Sequence, residues 1–149
     1  MDAGKADEAL AVYEEALAAQ PDYEQDPAYA ARIATVYQAQ GKLDDALAAA
    51  EEAEKLAAAA EVSTEGPLQL QADILSDQER WQAAIDLYTE VLELNPERAQ
   101  SMRGLALAYE AQGRNQEAVT QWRAYLQQAP EGEYADEARE HLRRLRGSS

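Results

Sequence analysis

Residues 99–132 read AQSMRGLALAYEAQGRNQEAVTQWRAYLQQAPEG, with small or apolar residues recurring at helical spacing. Met102, Leu105 and Tyr109 stand three and four apart, which puts them on one stripe of a helix. Gly113 ends that helix, because glycine takes the left-handed conformation after a C-cap without a Cβ clash. Ala118, Trp122 and Tyr125 make the inner stripe of a second helix, which Pro130 stops. Ala106 and Ala118 are small where the two backbones must come close. The stretch predicts a helical hairpin.

Working outward, the turn and second helix recur. GKADEALAVYEEAL begins at Gly4, GKLDDALAAAEEAE at Gly41, ERWQAAIDLYTEVL at Glu79 and GRNQEAVTQWRAYL at Gly113. The matching alanines, Ala9, Ala46, Ala84 and Ala118, are spaced by 37, 38 and 34 residues. The position four later is Tyr13, Ala50, Tyr88 and Trp122, and the helices end at Pro21, Pro96 and Pro130, with Ala58 in place of the second proline. This pattern resembles the tetratricopeptide repeat (TPR) family, whose signature runs large apolar, Leu, small, Tyr, Gly, Ala, aromatic, small, Pro. Ala106 stands where that signature has glycine, and Tyr125 where it has a small residue. The resemblance covers roughly residues 1–132. It implies an all-α fold, a right-handed α-solenoid of about three and a half repeats plus a C-terminal capping helix. Within a single domain 1–149, the expected divisions are a half repeat 1–26, repeats 27–64, 65–98 and 99–132, and a capping helix 133–146.

In chain order, residues 1–4 read as the end of a missing first helix, with Gly4 as a turn and residues 5–20 as the second helix of that incomplete repeat. Residues 21–26 form a loop, and Asp26-Pro27 is a helix start with Asp as N-cap. Ala30, Ile33, Ala34 and Tyr37 face inward on the next helix. The helix from Leu43 to about residue 60 is extended by an alanine run of high helix propensity. Gly66-Pro67 reads as a cap followed by a first-turn proline, and Leu68, Ala72 and Leu75 as the inward positions. Gln71 stands where leucine is expected, with Leu70 beside it as the substitute, and Glu79 replaces the turn glycine. Tyr134, Ala138, His141, Leu142 and Leu145 carry the period of the last helix, which solvates the end of the array. Residues 147–149 read as a frayed tail or an appended remnant.

The charge is uneven. Residues 1–98 hold 22 acids and 6 bases, a net of −16, while residues 99–149 hold 7 of each. The acidic part repels nucleic acid and anionic membrane surfaces; it serves solubility first and a basic partner second. No apolar run is long enough for a membrane span, no secretory signal begins the chain, and the absence of cysteine excludes disulfides and thiolate chemistry. The compartment is weakly specified, with the cytoplasm favoured only slightly and a lost targeting segment still open.

Signals for chemistry are weak. His141 and Glu137 could touch one ion from a helix face, but two ligands make a poor metal site, and a surface histidine is the better reading. Gly41-Lys42 and Gly113-Arg114 are turn punctuation without phosphate-loop spacing. No enzyme activity, cofactor or metal is expected. The TPR resemblance instead implies a protein–protein interaction module or adaptor that binds a protein or peptide segment through a concave groove lined by the first helix of each repeat. The groove positions carried over are Arg32, Thr35 and Gln38, then Gln69, Asp73 and Asp77, then Gln100, Arg103, Leu107 and Glu110. Arg32 and Arg103 are the expected anchors for carboxylates, although each of these residues is equally at home as solvated surface. Chaperone-binding TPR domains share a carboxylate clamp of Lys, Asn and Arg. The aligned positions here are Ala31, Thr35, Leu70, Gln100 and Gly104, which offer no cation, so capture of a chaperone's acidic terminus is not expected. The rival readings are a self-assembling structural subunit and a non-catalytic accessory domain of a larger protein. The first would use an N-terminal edge, Leu10, Tyr13 and Leu17, left partly exposed beside Met1 and Val12 and able to pair with a second copy as a homo-oligomer or with a partner helix.

Overall fold

A computed structural model describes residues 3–147. They form eight α-helices: α1 (Ala3–Ala19), α2 (Pro27–Ala39), α3 (Leu43–Ala59), α4 (Glu65–Asp77), α5 (Trp81–Leu94), α6 (Ala99–Ala111), α7 (Asn115–Gln128) and α8 (Ala135–Gly147). The fold is all-α, and no helix among the described residues is long and apolar enough to cross a membrane. The helices gather into two compact units, residues 1–78 with α1–α4 and residues 79–149 with α5–α8. The division falls inside the expected repeat 65–98.

Within the first unit, α2 and α3 make a hairpin closed by Gly41 at φ +73°. The Gly41 N–H donates to Gln38 O at 2.9 Å and the Lys42 N–H to Tyr37 O at 2.9 Å, which satisfies the last carbonyls of α2. In the second unit Gly113, at φ +71°, repeats the arrangement between α6 and α7, with the Arg114 N–H on Tyr109 O at 2.8 Å. Glu79 takes the same left-handed conformation, φ +57°, in the glycine's place. Glu61 does so too, at φ +55°, ending α3 by the same bonds; nothing in the sequence marked it, since glutamate carries no turn signal.

Ala34, Ala46, Ala50 and Ile74 form the core of the first unit, with Tyr37, Leu43, Leu47 and Leu70 packed against it. Asp26 caps α2 as expected, its carboxylate accepting from the Ala28 N–H at 2.8 Å. Val36 is buried beside Ala34, whereas the expected Ala30, Ile33 and Tyr37 are only half-buried. On α4 Leu68, Ala72 and Leu75 are buried, and so is Gln71, because its amide donates to Glu54 Oε2 of α3 at 2.7 Å. Leu70 therefore does not displace it.

Three boundaries differ from the sequence reading. α1 starts at Ala3 and runs through Gly4, so Gly4 lies within the helix rather than closing a turn before it. The segment Pro21–Gln25 is a short 3₁₀ helix rather than a loop. α4 starts at Glu65 after the cap residue Thr64, so Gly66 and Pro67 lie inside its first turn, where proline's missing N–H costs nothing. The reading of Met1 as part of a missing helix, and of Ser148 and Ser149 as tail, lies outside the described residues.

The core of the second unit joins α6, α7 and α8 through Met102, Ala106, Ala118, Trp122, Tyr125, Ala138 and Leu145. Trp122 is fully buried. Burying such a ring removes roughly 200 Å² from water, worth on the order of 5 kcal/mol. Ala84 and Ala118 are fully buried, Ala118 within the cluster that joins α6, α7 and α8. Between α5 and α6, Gly104 lies so close to the Tyr88 ring that a Cβ would stand 2.3 Å from Tyr88 Cζ.

Candidate protein-binding surfaces

In the first unit the expected groove positions come from α2 and α4. Arg32 and Thr35 are exposed on α2, and the Thr35 hydroxyl donates back to Ala31 O at 3.0 Å. Gln38, one turn on, donates to Asp77 Oδ2 of α4 at 2.7 Å. On α4 the Gln69 amide is buried and donates to Asp73 Oδ1 at 2.8 Å. The Gln38–Asp77 bond ties the C-terminal end of α2 to that of α4. Arg32 makes no ion pair among the described residues.

In the second unit the positions on α6 have a different fate. Gln100 is exposed, and Leu107 packs half-buried against the unit's core. Arg103 forms a two-pronged ion pair with Glu137 of α8, Nε to Oε2 at 2.7 Å and NH2 to Oε1 at 2.9 Å, and its guanidinium lies 4.1 Å from the centre of the Tyr134 ring. The hydrogen bond to Glu137 raises the Arg103 pKa, outweighing the burial that lowers it.

Glu110 is held from three sides: Trp122 Nε1 donates to its Oε1 at 2.5 Å, His141 Nδ1 lies 2.7 Å from the same oxygen, and Arg144 pairs with Oε2. Burial pushes the Glu110 carboxyl up, but the bonds from Trp122, His141 and Arg144 together hold it below the ordinary carboxylate range. Arg103 and Glu110 are thus engaged inside the chain, by α8. Their spacing in the sequence gave no sign of this, since each partner lies 31 or more residues away.

The N-terminal edge is partly covered. Leu10, Tyr13 and Leu17 are half-buried, and Val12 is 62% exposed. Tyr13 meets Tyr29 edge-to-face at 6.1 Å, Tyr29 donates its hydroxyl to Tyr13 O at 3.2 Å, and Tyr23 stacks on Tyr29 at 6.3 Å. Glu137 and His141 turn to different partners, and no group of three metal-ligating side chains is found among the described residues.

Comparison with known proteins agrees with this architecture. The family described as tetratricopeptide repeat matches residues 70–133. No curated protein matches the sequence. Among solved structures, the first TPR domain of Spaghetti (RPAP3), bound to the HSP90 peptide SRMEEVD, is similar with a TM-score of 0.74 at 17% identity, over 84% of this chain and 94% of that one. Yeast Tom70 is similar with a TM-score of 0.81 at 20% identity, over 95% of this chain and 30% of its own. YrrB, described as a TPR protein with an unusual peptide-binding site, gives 0.71 at 17% identity, over 97% and 70%. The fold is a generic protein–protein interaction module, and proteins of this family are generally non-catalytic. Repeat spacing, paired helices, glycine turns and the match over residues 70–133 together mark the chain as similar to the tetratricopeptide repeat family.

Proposed function

We propose that this chain is a non-catalytic adaptor that binds a segment of another protein along the shared face of α2 and α4. The observation that carries the reading is the Gln38–Asp77 bond, which ties together two helices whose outward residues are polar and mixed in charge. Arg32 offers a cation to a carboxylate of the ligand, and Asp73 and Asp77 offer anions to a basic residue in the same segment. The peptide carried by the Spaghetti domain is acidic, but the clamp positions here, Ala31, Thr35 and Leu70, hold no cation, so the ligand differs in chemistry from that peptide. A net charge of −16 makes nucleic acid a poor partner.

The test is affinity purification from the source cells with wild type and with Arg32→Glu, read by mass spectrometry. A partner held by wild type and lost from a folded Arg32→Glu supports the reading, because reversing a charge at a contact weakens binding without touching the core. Equal recovery by both removes α2 from the site.

A further inference from the structure

We propose that the α6–α7 surface beneath α8 is a second protein-binding site, that it takes an amphipathic helix, and that α8 is its built-in, displaceable occupant. The chemistry of the ligand is written in α8 itself. Its Ala138 and Leu145 enter the Trp122 cluster, Glu137 faces Arg103, and Arg144 faces Glu110. A partner helix that fits therefore carries a carboxylate at one end, a cation seven residues later, and a stripe of small and leucine side chains beside them.

Two features make the surface a receptor rather than a mere core. The first is that its polar groups remain placed when α8 leaves. Trp122 belongs to α7, so its bond to Glu110 survives and keeps that carboxylate aimed outward. Arg103 sits on α6, opposite in charge and close to two helical turns away along the same helix. The site would thus present a cation on α6 and a fixed anion flanking an apolar patch, and charge complementarity would set the direction in which a helix lies.

The second is that α8 is held with little buried apolar surface. Ala135, Ala138 and Leu145 are buried on it, with Leu142 packed beside them, and its other anchors are polar: Glu137 on Arg103, and His141 and Arg144 on Glu110. The segment joining it to α7 contains Pro130 and Gly132. A Cβ at Gly132 would stand 2.9 Å from Ala129 Cβ and 3.0 Å from the Tyr125 hydroxyl, so the docked turn depends on glycine. Helices with so little buried apolar surface open at lower free energy than the body they pack on.

The probe is a labelled synthetic peptide of residues 133–147, followed by fluorescence anisotropy against the full chain. Wild type should bind it weakly, because the tethered α8 competes at high effective concentration. A full chain carrying Glu137→Gln and Arg144→Gln should bind the unaltered peptide about tenfold more tightly or better, since the open fraction rises. The same chain with Glu110→Gln added should lose that gain. Hydrogen exchange on wild type gives an independent reading: α8 amides should exchange ahead of those of α7, and further ahead as salt is raised. Absence of binding by the double variant overturns the proposal, as does equal binding by both chains. Should the double variant unfold, exchange on wild type decides, and α8 amides as protected as those of α7 overturn it. A chain that dimerises by trading α8 between copies, and that the peptide does not dissociate, shows self-exchange instead and also overturns it.

Discussion

The hydroxyl end of the Tyr88 ring abuts α6 at Gly104, with three ring carbons within 2.8 Å of where a Cβ would be. Tyr88 is buried and cannot swing aside. Gly104→Ala should therefore destabilise the second unit by roughly 1–3 kcal/mol, as overpacking does. Urea unfolding followed by circular dichroism measures this. In a Tyr88→Leu background the same change should cost less, and additive effects would show that the two residues do not meet.

Glu79 holds a conformation that suits glycine, at φ +57°. Glu79→Gly should raise stability by roughly 0.5–1 kcal/mol, the relief of the left-handed strain less the extra freedom of the unfolded chain. Gly41→Ala, at φ +73°, should do the reverse by a similar amount. Melting temperatures that move in the same direction for both variants would contradict the turn assignment.

Ala118 is fully buried in the cluster with Trp122. Ala118→Leu should cost on the order of 1–3 kcal/mol. The loss should be mainly local, because repeats couple chiefly to their neighbours. An unchanged melting temperature would argue against close packing at this position.

Glu110 predicts how acid acts on the last helix. Its pKa is lowered in the folded chain from the ordinary 4.5, so its contribution is fully present above that value and is lost as the pH falls through the lower folded value. Acidification through the carboxylate range should therefore loosen α8, read as faster amide exchange there than in α7. In Glu110→Gln this acid-driven step should be smaller. A wild-type profile that stays flat as the pH falls through and below the carboxylate range would mean that Glu110 does not hold α8.

What could be read from the sequence was what depends on local conformation or on spacing. Gly41 and Gly113 announce their turns because few other residues take those angles, and Ala46, Ala84, Ala118 and Trp122 announce their burial by recurring at one repeat length. Asp26-Pro27 announces its helix for the same local reason. Glu61 and Gly4 did not, since one turns without a turn residue and the other sits in a helix despite being one. On the surface, Arg32 and Arg103 look alike in sequence, each a cation on a repeat's first helix. They differ only because α8 brings Glu137 to Arg103, a pairing of two flexible side chains 34 residues apart that no period encodes.

The seam of α3 is built from Ala46, Ala50, Ala53 and Ala57, all fully buried, where the second unit uses Tyr88, Trp122 and Tyr125. Alanine gives up little rotamer entropy on folding but also removes little apolar surface from water. Resistance to opening should then differ along the molecule. Amides of α2 and α3 should exchange through smaller, more frequent excursions, and those of α6 and α7 should define the last structure to melt. A single transition temperature would conceal that gradient, whereas residue-resolved exchange would display it.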